Sequence, residues 1–161
     1  MTVRNRGGLL VLAGVGALAL AVTVQAQASK ALVGTWKLVA SKSTFSPGPP
    51  PKSMTVTYAT AGADGVKIMV DVAPADGAAQ HWEMSAQYDG KEYPVKGNPN
   101  ADTVSIKKVD DLTGESTFKK GGKVTATNTR TLSKDGKTLT VTSVGTTADG
   151  KPRKDVQVFE K

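Results

Sequence analysis

Residues 124–142 read Val-Thr-Ala-Thr-Asn-Thr-Arg-Thr-Leu, then Ser-Lys-Asp-Gly-Lys, then Thr-Leu-Thr-Val-Thr. Two alternating runs meet at Asp135-Gly136, a dipeptide suited to the positive φ angles of a tight hairpin turn, so the stretch predicts a β-hairpin. Side chains of a strand alternate between two faces. Thr125, Thr127, Thr129 and Thr131 therefore share one face, and Val124, Ala126, Asn128, Arg130 and Leu132 share the other. An amide and a guanidinium thus stand in an apolar row, and Arg130 becomes the first candidate for function.

The same alternation runs through the chain. Trp36, Leu38 and Ala40 align, as do Met54, Val56 and Tyr58, then Val66, Ile68, Val70 and Val72, then Trp82, Met84, Ala86 and Tyr88. Asp64-Gly65, Asp76-Gly77, Asp89-Gly90, Asp135-Gly136 and Asp149-Gly150 mark turns between such runs. Residues 91–95, 103–109, 115–120 and 156–159 read as further strands, and no segment keeps a 3.6-residue period. The expected fold is all-β, a single antiparallel up-and-down barrel of about 8–10 strands with little helix. Closure removes the edges that an open sheet would expose to aggregation. Residues 45–52, Phe-Ser-Pro-Gly-Pro-Pro-Pro-Lys, contain four prolines and predict an extended crossing loop.

The N-terminal 28 residues carry Arg4 and Arg6, an apolar run over residues 9–24, and Ala26-Gln27-Ala28. That pattern predicts a signal peptide cleaved after Ala28, and a mature domain over residues 29–161, periplasmic or secreted. The apolar run is shorter than the roughly 20 residues that span a bilayer, so no stable membrane insertion is expected. The chain has no cysteine, so it forms no disulfide and has no thiol for a lipid. The formal charge is +7, and +5 without Arg4 and Arg6; the lysines alternate along strands or cluster beside turns. Only eight aromatic residues are present, mostly on apolar rows, which argues against a nucleic-acid partner.

One histidine and no cysteine are too few ligands for a zinc site. The turn aspartates have backbone reasons to be where they are, so no metal or other cofactor is expected. His81 alternates away from the apolar row, and no Gly-x-Ser-x-Gly element exists. No catalytic residue is assigned. A His81–Glu83 acid–base pair would require that face to be buried.

Gly34-Thr35-Trp36 at the start of the first strand resembles the Gly-x-Trp signature of lipocalin and calycin barrels. Tyr88-Asp89-Gly90-Lys91-Glu92-Tyr93-Pro94-Val95, Gly97-Asn98-Pro99 and the tail over residues 132–141 resemble secreted bacterial lipocalin-like proteins, mostly functionally uncharacterised. The resemblance implies a barrel, a tryptophan plugging one end, and an internal ligand. It also implies an arginine over that tryptophan, a role Arg130 can fill against Trp36. Fatty-acid-binding proteins, also calycins, place two helices between their first two strands, where this chain has only the proline loop.

Arg130 therefore has two readings. It is an anion receptor inside the barrel, with Asn128 beside it, or a structural group stacked on Trp36. The expected function is a non-catalytic barrel binding a small amphipathic, or anionic, molecule between Trp36, Tyr58, Trp82, Met84, Asn128 and Arg130. The alternatives are an envelope or protein-interaction module with a filled core, and a barrel isomerase or cyclase. An empty lumen distinguishes the first from the second.

Overall fold

Strands form wherever the sequence alternates. The computed structural model describes residues 30–147 and 149–161; the expected signal peptide and its cleavage after Ala28 lie outside the described residues. In chain order the strands are β1 (Gly34–Leu38), β2 (Ser53–Ala61), β3 (Gly65–Ala73), β4 (Gln80–Gln87) and β5 (Asp89–Lys96). β6 (Thr103–Lys108), β7 (Thr113–Lys120), β8 (Lys123–Leu132), β9 (Thr138–Thr146) and β10 (Pro152–Glu160) follow. A single 3-10 turn, Ala40–Lys42, is the one helical element among the described residues. Each strand pairs antiparallel with the next, and β10 returns to β1, closing a ten-stranded up-and-down barrel.

The closing seam is short. β1 and β10 pair only through Lys37 with Glu160 and Leu38 with Phe159. The chain after β1 extends the seam, since the Val39 N–H donates to the Val158 carbonyl and Thr44 bridges Val156. The Lys154 N–H then donates to the Ser46 carbonyl, which ties the proline-rich loop to β10. Among the described strands none is left as an open edge.

One end of the barrel is sealed by apolar packing. Leu32, Trp36, Leu132, Leu139 and Phe159 are buried there, and the Trp36 Nε1–H donates to the Leu32 carbonyl at 2.8 Å. The cation over Trp36 is not Arg130. Lys161 Nζ lies 4.7 Å from the ring centroid and donates to the Ala31 and Val33 carbonyls. The stacking partner implied by the lipocalin resemblance is thus supplied by the last residue of the sequence, while Arg130 lies over Tyr58 instead.

The stretch that opened the sequence reading forms β8 and β9, with two corrections. β8 ends at Leu132 and β9 begins at Thr138, so the turn is a five-residue loop over residues 133–137, in which Gly136 alone has positive φ. Asp135 Oδ1 accepts from the Ser133 hydroxyl and the Lys137 N–H, so the side chain shapes the loop that the backbone of a two-residue turn would have made. The second correction is Val124, which leaves the inner row. Phe118 pairs with Ala126 but Lys119 pairs with Val124, so Thr125 is the extra residue of a β-bulge. The bulge turns Val124 outward, where it is 58% exposed, and brings Thr125 to the rim of the lumen. Gly145 answers the bulge, because a Cβ there would lie 2.2 Å from the Thr125 carbonyl oxygen. At the turn before β3, Gly62 rather than Gly65 takes the positive φ.

Candidate functional site

Period-two alternation sends a mixed set of side chains into the lumen. From β2, β3 and β4 come Met54, Val56, Tyr58, Ile68, Val70, Trp82 and Met84, all apolar or aromatic. From β8, β9 and β10 come Asn128, Arg130, Ser143, Arg153, Asp155 and Gln157, which are polar. One wall is greasy and the opposite wall can form hydrogen bonds.

The space between them has two compartments. The outer one, about 460 Å³, lies at the end carrying the proline-rich loop, with Phe45, Pro49 and Pro51 in its wall. The inner one, about 80 Å³, extends toward the sealed end and includes Tyr58, Met84, Tyr88 and Arg130. Met54, Trp82, Phe118, Asn128 and Gln157 border both compartments, so they form the waist that joins them. Trp82 and Phe118 meet edge to face there, with centroids 5.9 Å apart and planes at 85°. The combined space falls in the range that holds small molecules.

Arg130 occupies the inner compartment. Its strand neighbour across β7 is Gly114, and a Cβ at that position would lie 2.5 Å from the Arg130 Nη2. The missing side chain is therefore the seat of the guanidinium. Arg130 lies 5.9 Å from the Tyr58 ring centroid, and among the described residues it makes no ion pair. Burial pushes the Tyr58 phenol up to about 12, with Arg130 pulling the other way and Tyr88 adding to the rise. Tyr88 is raised too, again chiefly by burial and opposed by Arg130 and Lys108. Both phenols thus remain neutral O–H groups near a positive charge, able to donate to an anion held by Arg130.

The outer compartment has its own charges, but they are balanced. Asp155, 5% exposed, has Oδ2 3.2 Å from Arg153 Nε, and its Oδ1 accepts from the Ser46 N–H. An Arg153 terminal nitrogen donates to the buried Ser143 hydroxyl at 3.2 Å. The ion-pair distance to Arg153 Nε comes without hydrogen-bond alignment, so that N–H remains unpartnered. Asn128 Oδ1 is likewise buried without a partner.

Five of the six residues expected to surround a ligand, Tyr58, Trp82, Met84, Asn128 and Arg130, border this space. Trp36 stands apart, fully buried in the sealed end. Sequence reasoning missed Ser143, Arg153, Asp155 and Gln157. The signal was available in β10, where Arg153, Asp155 and Gln157 precede Phe159 at intervals of two, so an inward Phe159 carries all three inward. It was also available in β9, where Ser143 follows Leu139 and Val141 at the same interval.

His81 and Glu83 face outward. His81 Nδ1 is 2.7 Å from Asp71 Oδ1, and Glu83 pairs with Lys67 at 2.8 Å, whose hydrogen bond and charge hold that carboxyl below its usual value. They do not form the buried acid–base pair that would have favoured the isomerase or cyclase reading. Among the described residues no group of three or more His, Cys, Asp or Glu side chains is placed to hold a metal.

No protein-family profile and no curated protein matches the sequence. Among solved structures, an asparagine-to-alanine mutant of the fluorescent protein UnaG is 17% identical, covers 81% of this chain and 96% of its own, and superimposes with a TM-score of 0.52. A redesigned β-barrel, mFAP1, bound to DFHBI is 16% identical over 83% of this chain and 98% of its own, with a TM-score of 0.46. At such identity the UnaG likeness establishes the fold alone, a closed antiparallel β-barrel, and function must be argued from the site.

Proposed function

We propose that this protein is a secreted or periplasmic, non-catalytic barrel of the lipocalin-like kind, which binds a small amphipathic anion in its lumen. The observation that carries the reading is Arg130, a guanidinium inside the barrel with no carboxylate partner among the described residues, facing a cavity that continues to the mouth. A charge held away from bulk water is costly unless an opposite charge meets it. The structural place over Trp36 is taken by Lys161, while Arg130 lies over Tyr58 inside the lumen.

The test is a fluorescence titration with 1-anilinonaphthalene-8-sulfonate, an amphipathic aromatic anion. Saturable binding of one probe per chain is expected, weakened at least tenfold by Arg130→Met with the fold retained. Absence of saturable binding, or equal binding by the variant, would overturn the reading in favour of a filled barrel that works through its outer surface. Export is checked separately by sequencing the N-terminus of protein recovered from the envelope fraction, which should begin at Ser29.

A further inference from the structure

The lumen specifies more than an anion. Among the described residues, three charged side chains line the cavity, Arg130, Arg153 and Asp155, and Lys108, on the inward row of β6, is paired with Asp111 at 2.7 Å. Glu115 contributes only backbone to the wall, since its side chain is on the exposed face of β7. Arg153 and Asp155 neutralise one another at 3.2 Å, and Asp155 is further engaged by the Ser46 N–H. The remainder is a single positive charge at Arg130. One negative charge balances the lumen, and a second would leave it with an unpaired buried anion.

Position adds an orientation. Arg130 lies in the inner compartment and Asn128 at the waist, two residues apart on one face of β8. Their backbone positions are about 7 Å apart along the strand. The inner compartment, about 80 Å³, admits a small charged group and not the body of a ligand, which fits the outer 460 Å³. The acid end must therefore lead.

Asn128 supplies the second requirement. Its Oδ1 is buried and unpartnered, and it borders both compartments. Such an acceptor, without a protein partner among the described residues and facing the cavity, is placed to take a hydrogen bond from whatever enters it. A site that holds a buried acceptor discriminates strongly against a ligand that lacks the matching N–H or O–H, because the acceptor then remains dry and unmade.

We infer that the lumen is built for a monocarboxylate bearing one N–H or O–H donor, bound acid end first, with its carboxylate on Arg130 beyond the Trp82–Phe118 contact and its donor on Asn128 Oδ1. This rests on the proposed function and adds charge, orientation and a second polar group to it. The flat apolar surfaces of Trp82, Phe118 and Met54 at the waist suit an aromatic ring between the two polar ends.

The experiment uses indole-3-propionate, which has one carboxylate and one N–H on a flat ring, its 1-methyl counterpart, which lacks the N–H, and its methyl ester, which lacks the charge. Calorimetry on the purified protein should rank indole-3-propionate at least tenfold tighter than either analogue. Asn128→Leu should remove the preference over the 1-methyl compound and keep the preference over the ester, while raising the melting temperature of the free protein. Arg130→Met should do the converse. If the acid outranks the ester but binds no better than the 1-methyl compound, or Asn128→Leu preserves the N–H preference, the donor assignment is overturned and the anion site stands. If none of the three binds and the anilinonaphthalene sulfonate also fails, both readings fall. If that sulfonate binds through Arg130 while the indole acid does not, this inference alone falls.

Discussion

Gly114→Ala is the substitution that asks whether the position of the Arg130 guanidinium matters, and not merely its presence. The new Cβ would stand 2.5 Å from Nη2 and 3.3 Å from Cζ, against an ordinary contact of 3.4 Å or more. The guanidinium must therefore move by about 1 Å, which is easy for the tip of a long side chain. Gly114 has no positive φ, so alanine fits the backbone and removes unfolded-state entropy worth about 0.4–1 kcal/mol. An off-rotamer arginine costs about 0.5–1.5 kcal/mol, so the two effects nearly cancel and the melting temperature should change by only a few degrees. Binding is another matter. A carboxylate held by two parallel N–H groups loses one of them when the fork shifts by about 1 Å, and a charge-assisted bond is worth about 1.5–3 kcal/mol. Affinity for indole-3-propionate should fall by about ten- to a hundredfold, while that for its methyl ester stays level. Calorimetry beside thermal denaturation reads both quantities. Equal losses for acid and ester would mean that the cavity had merely shrunk, and an unchanged affinity for the acid would refute the receptor role of Arg130.

Two further outcomes follow from the structure. Tyr58, Tyr88 and Tyr93 are all raised above the ordinary phenol value, Tyr58 to about 12, so absorbance titration should find its ionisation near there. Because the folded state keeps protons that the unfolded chain loses near pH 10, the Tyr58 contribution is intact below pH 10 and disappears between pH 10 and about 12; urea midpoints measured across that window should fall. Lys161→Ala removes the cation over Trp36 and two hydrogen bonds to the carbonyls of Ala31 and Val33. For this exposed group the cost should be about 1 kcal/mol, a drop of a few degrees in melting temperature, with ligand affinity unchanged because neither Lys161 nor Trp36 borders the cavity. A change in affinity as large as that of Arg130→Met would place Trp36 in the binding site after all.

Strand content, the closed meander and the inward row of β8 from Ala126 to Leu132 are legible in the residues alone, because period-two alternation is written locally in every run and each face has one plausible environment. Asn128 and Arg130 were visible for the same reason, as polar intruders in an apolar row. Tertiary structure decided everything that depends on what lies across the barrel. Which cation covers Trp36 is set by the closing seam, which brings Lys161 beside β1 and leaves Arg130 over Tyr58. Val124 left the inner row because a bulge opposite Phe118 shifts the alternation by one residue, and nothing in the local sequence marks it. The balance of Arg153 by Asp155, and the absence of any such partner for Arg130 among the described residues, belong to distances between strands, so that a plain hairpin in the sequence becomes one charged wall of a lumen only when ten strands close around it.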